Sequence, residues 1–92
     1  MSDLVIVVED VARPIEELRP ALDARLQEEF PGGMLKWAWD GDVMHLTGPG
    51  AKGTIRLDGA RLVGQAHLGP PASMMRPVIE QKMTRAMQRA TT

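Results

Sequence analysis

The sequence predicts a two-layer α+β domain of order β-α-β-β-β-β-α, an antiparallel meander sheet with two helices packed on one face. Three observations predict it. From Met34 to Leu68, four short segments alternate polar and apolar residues, separated by Asp40-Gly41, a Gly48–Gly53 loop and Asp58-Gly59. An apolar stripe at spacings of three and four flanks that stretch on each side. A β-branched run, Leu4 to Val8, precedes the first stripe.

Leu4-Val5-Ile6-Val7-Val8 is apolar throughout, which predicts a strand buried on both faces or central in the sheet. Glu9 and Asp10 end it. From Pro14 to Phe30, one stripe is formed by Ile15, Leu18, Leu22, Leu26 and Phe30, with Ala21 beside it. Glu16, Glu17, Asp23, Arg25 and Glu28 fall on the outer side. Pro14 suits a first helical turn. Pro20 has no amide proton and crowds the carbonyl one turn back, but the stripe keeps its phase across it. That predicts one kinked helix rather than two. Pro31-Gly32-Gly33 stops it.

In the next segment Leu35, Trp37 and Trp39 share a face against Lys36, Ala38 and Asp40. Met44 and Leu46 then oppose His45, and Ile55 and Leu57 alternate with Thr54 and Arg56. Asp58-Gly59 predicts a type I′ hairpin with positive φ at both central residues. Ala60, Leu62, Gly64, Ala66 and Leu68 share a face, and the small Gly64 and Ala66 predict a helix packed closely over it. Arg56, Arg61, Gln65 and His67 mark the other face as wet. Gly69-Pro70-Pro71 breaks the sheet. The last helix is expected over 72–90, striped by Met75, Val78, Ile79, Met83, Ala86, Met87 and Ala90. Ser73 is expected to cap it and Pro77 lies near its start. Arg76, Gln81, Lys82, Arg85 and Arg89 are expected on its outer side, the basic residues clustering towards the C-terminus and complementing the dipole.

Length and composition bound the function. The 92 residues make one small domain, 1–92. Eleven basic and twelve acidic residues leave a net charge of −1, without the basic face that a phosphate backbone demands, so no nucleic acid is expected. The absence of cysteine excludes a disulfide framework, thiolate catalysis and cysteine-bound zinc. No basic leader precedes the short apolar run at Leu4, so no signal or membrane span is expected and a cytoplasmic location is the default.

Catalytic, cofactor and metal sites are all expected to be absent. His45 and His67 fall on strands that do not adjoin if pairing is sequential, and neither has a carboxylate or thiol at ligand spacing. Asp40, Asp42 and Asp58 belong to turns, where local hydrogen bonding explains them. The glycines at 48, 50 and 53 lie between strands and so lack the helix N-terminus that a phosphate cradle needs. Ser73 has no nucleophile-elbow context. What remains is apolar contact. Trp37, Trp39, Met74, Met75, Met83 and Met87 are the candidate residues. The tryptophans either anchor the core or form an exposed patch. Met75, Met83 and Met87 are expected in the core, whereas Met74 and Met44 are expected at the surface.

The segment Lys36-Trp37-Ala38-Trp39-Asp40-Gly41-Asp42-Val43-Met44-His45-Leu46 leads through the glycine loop into Gly53-Thr54-Ile55-Arg56-Leu57. It continues through Leu62 to His67-Leu68-Gly69 and a helix with Val78-Ile79-Glu80 and Met83. This resembles the small bacterial polyhydroxyalkanoic acid system protein family, the granule-region family, over about 21–87. The proline-rich starts of both helices, and Leu46 where an aromatic is frequent, depart from the family pattern. The resemblance implies a non-enzymatic cytoplasmic accessory of polyhydroxyalkanoate storage, associated with the granule surface or with a phasin-like granule protein. It carries over no catalytic residues. A second reading, on analogy alone, is a carrier for an apolar ligand held between the helices and the sheet, with Gly64 and Ala66 lining the void. Self-association into a homo-oligomer, through an unprotected edge strand or a Met-rich helix face, is open in both readings.

Overall fold

The computed structural model describes residues 2–92. Its elements are β1 (Ser2–Val8), α1 (Ile15–Glu29), β2 (Lys36–Asp40), β3 (Val43–Gly48), β4 (Ala51–Asp58), β5 (Arg61–Leu68), a 3-10 turn over Ala72–Met75 and α2 (Arg76–Ala90). This is the α+β order that the sequence predicts. The strands form one antiparallel sheet in the order β1-β5-β4-β3-β2. Strands β2 to β5 make the meander, and β1 returns alongside β5.

The edge position of β1 corrects the expectation of a doubly buried or central strand. Leu4 and Ile6 are buried, but Val5 and Val7 are 61% and 43% exposed. A continuous apolar run marks burial of both faces only where a second layer covers them. Here the helices cover one.

Pro20 lies inside a single helix, whose Leu18, Leu22 and Leu26 are fully buried. Burial of that stripe outweighs the hydrogen bond that Pro20 cannot donate. α2 packs against α1 and β1, and it buries Met83, Ala86, Met87 and Ala90. Together with Leu4, Met44, Ile55, Leu62 and Leu68, these side chains fill the space between the layers. Ser73 makes no cap. It lies within the 3-10 turn, and Met75 occupies the N-cap of α2 with no side-chain hydrogen bond.

Two hairpins differ from the sequence expectation, one in position and one in length. Asp58 pairs with Arg61, so the loop is Gly59-Ala60 and Asp58 is the last residue of its strand. Gly59 has φ +61, whereas Ala60 is not among the residues of positive φ. That sign pattern belongs to a type II′ turn, not the expected I′. The Gly48–Gly53 loop shrinks to Pro49-Gly50, because Gly48 pairs with Ala51. Gly50 has φ +75, and its carbonyl accepts the Gly69 N–H at 2.7 Å. This contact ties the β3–β4 tip to the chain leaving β5. Among the described residues, no helix is long and apolar enough to cross a membrane.

Candidate apolar binding cleft

Small residues on β5 have two different fates. A Cβ added at Gly64 would lie 3.0 Å from Met87 Sδ and 3.2 Å from its Cε. The glycine therefore admits α2, as its size predicts. Two positions along the same face, Ala66 borders a cavity. Gly53 stands beside it on β4, in register with Ala66, and adds no side chain of its own.

The result is a cleft of about 470 Å³ between the layers, at the end marked by the β3–β4 tip. Leu46, Gly53, Ala66 and Leu68 form its sheet side, and Met75, Val78, Ile79 and Met83 its helix side. Phe30, Pro31, Met34 and Leu35, from the chain leaving α1, also line it, as do Pro49 and Pro71. The volume lies in the range of small-molecule sites, and the lining is mainly apolar, as such sites usually are. At its edge Met34, Met75 and Val78 are 72%, 56% and 42% exposed.

Charge enters at one place. Lys82, half-buried on α2, donates from Nζ to the Glu29 carbonyl oxygen at 2.9 Å, at the C-terminal end of α1. Its ammonium stands 5.7 Å from the centroid of the Phe30 ring. The Glu29 carboxylate is held by Arg85 at 3.0 Å and faces Arg89 at 3.9 Å.

The candidate residues from the sequence divide accordingly. Met75 and Met83 line the cleft, Met75 exposed rather than in the core as expected. Met75 ends the 3-10 turn that precedes α2, at the border of the hollow. Met44, expected at the surface, is fully buried because it shares the helix-facing side of β3 with Leu46. Met74 is 81% exposed and does not line the cleft. Met87 is fully buried over Gly64.

Trp37 and Trp39 lie elsewhere, half-buried on β2 beneath α1. Both indole N–H groups donate to Asp23 Oδ1, each at 3.0 Å. Arg19 lies 5.9 Å from the Trp39 ring centroid and donates to Asp42. This cluster fastens β2 to α1.

The open face of the sheet carries the histidines. His67 Nδ1 lies 2.6 Å from Asp3 Oδ1, both exposed, and β4 separates it from His45 on β3. No group of three His, Asp or Glu among the described residues can hold a metal ion. A wider hollow of about 710 Å³ runs along the polar outer side of α2 past Arg76, Glu80 and Gln88, but it is open to solvent.

Sequence reading pointed to Ala66 through its size, and to Met75 and Met83 through the helical stripe. It missed Met34, Phe30, Leu46 and Lys82 as neighbours of one hollow.

No curated protein and no solved structure gave a significant match to the chain. A family model described as "Putative polyhydroxyalkanoic acid system protein" matches residues 9–90, from the end of β1 through α2. With nearly its whole length matched, the chain belongs to the polyhydroxyalkanoic acid system protein family.

Proposed function

We propose that this protein is a non-enzymatic accessory of polyhydroxyalkanoate storage in the bacterial cytoplasm. It engages the granule surface, or a granule-associated protein, by taking apolar chain into the cleft between its helices and sheet. The observation that carries this reading is the cleft: about 470 Å³, mainly apolar, with exposed Met34, Met75 and Val78 at its edge. Methionine adapts its shape and is polarizable, which suits a partner surface without fixed relief. Family membership supplies the setting in the polyhydroxyalkanoic acid system. The same enclosure favours a second reading, in which the protein carries a free apolar ligand and does not dock on granules.

Co-sedimentation with native and with protein-stripped granules tests the proposal, beside an inert protein of similar size and charge. The Met75→Glu/Val78→Glu variant is the second comparison, because both positions are exposed and the fold should tolerate them. Pelleting with both granule types, weakened in the variant, supports direct engagement of the polyester. Pelleting with native granules alone points to a granule protein. No pelleting with either removes granule docking and leaves the carrier.

A further inference from the structure

Lys82 stands on the lining of the cleft with no carboxylate within salt-bridge distance among the described residues. Of its three ammonium protons, one is committed to the Glu29 carbonyl oxygen. The carboxylate nearest in sequence to that carbonyl, that of Glu29, is turned to Arg85 and Arg89. At this end of α1, Lys82, Arg85 and Arg89 of α2 and Arg25 of α1 accompany two carboxylates, Glu28 held by Arg25 and Glu29 held by Arg85, and Lys82 pairs with neither. The carbonyl end of α1 is itself partly negative, which explains one bond of Lys82 but not the excess of positive charge. Lys52 also borders the cleft, yet its place beside Thr47 and His67 assigns it by register to the open face of the sheet.

A mainly apolar hollow with a cation at its margin matches a molecule built the same way. We propose that the cleft takes a linear aliphatic carboxylate, its chain along Leu46, Ala66, Leu68 and Met83 and its carboxylate on Lys82. This rests on the reading of the cleft as an apolar-chain site and adds the head group. A neutral head would leave the ammonium without a charged partner, and a cationic head would meet repulsion. A charge-assisted hydrogen bond is roughly twice as strong as a neutral one.

The test is calorimetric titration of the intact chain with octanoate, octanol and octyltrimethylammonium, each below the concentration at which it aggregates. Octanoate is expected to bind at least about tenfold tighter than octanol, with the cation weakest. Lys82→Met keeps an unbranched stem against Phe30 and should bring acid and alcohol within about threefold of each other. Lys82→Arg should keep the preference for the acid, which separates lost charge from lost fold. Equal binding of octanoate and octanol by the wild-type protein overturns the head-group assignment and leaves the apolar-chain reading standing. A preference that survives in Lys82→Met overturns the role of Lys82. Failure of all three to bind overturns both this inference and the apolar-chain reading on which it rests.

Discussion

Met87 lies directly over Gly64, so close that a Cβ on the glycine would stand 3.0 Å from its sulfur. Two positions along the strand, Ala66 borders the cleft. One face of β5 therefore passes from close packing to a hollow within a few residues. That change defines the candidate site.

Enlarging each position should have opposite consequences. Gly64→Val forces branched carbons into space held by Met87, so it should lower stability by about 1–3 kcal/mol. Ala66→Val grows towards the cleft and should cost less than about 1 kcal/mol while weakening uptake of apolar chains. Urea denaturation and ligand titration of the two variants read these effects. A costly Ala66→Val beside a harmless Gly64→Val would mean that the hollow is misplaced.

The β3–β4 tip should tolerate little change. A Cβ at Gly50 would lie 2.5 Å from the Gly69 carbonyl oxygen, and the residue has φ +75. Gly50→Ala should therefore destabilise by more than about 1 kcal/mol, through backbone strain as well as the clash. Thermal unfolding checks this directly, since an unchanged midpoint would show that the tip is not held against the chain leaving β5.

Asp23 offers one oxygen to two indole donors. Asp23→Ala leaves both N–H groups without that acceptor and should cost about 1–3 kcal/mol, most of it recovered in Asp23→Asn, which keeps an oxygen. Tryptophan emission should shift in the alanine variant as the rings loosen. Denaturation followed by fluorescence measures both quantities, and an alanine variant as stable as wild type would reduce the cluster to a surface contact.

At the rim, Met75→Glu/Val78→Glu should change stability by no more than about 0.5 kcal/mol, because both side chains are exposed. Binding of apolar chains should fall, since the charges stand at the cleft's mouth. The comparison needs the unfolding curve and the binding curve of the same preparation. A variant that binds as well as wild type would place the apolar contact elsewhere.

The element order and the helix-facing sides of β4 and β5 were legible because periodicity reports which side of an element is buried. Leu18, Leu22 and Leu26 show this across Pro20, and Ile55, Leu62 and Leu68 across β4 and β5, whereas Met44, expected at the surface, is buried beside Leu46. The position of β1 was not legible. Its alternate valines match a central strand in composition, and only pairing with β5 alone reveals the edge. The cleft was half legible. Gly64 and Ala66 look alike in a sequence, but which of them receives Met87 depends on where α2 crosses the sheet. Met75 continues the buried stripe in phase, yet it is exposed, at the end of the 3-10 turn that borders the cleft. Lys82 reads as an ordinary outer-face residue until α1 ends beside it.

Occupation of the cleft can be read from the methionine-methyl NMR spectrum of the full chain during titration with octanoate. Met34, Met75 and Met83 line the cleft, Met44 and Met87 lie in the core, and Met74 is exposed outside it. Saturable shifts of the Met34, Met75 and Met83 methyls are expected, with Met74 unmoved. Shifts confined to Met74, or no saturable shift at any of them, would contradict it.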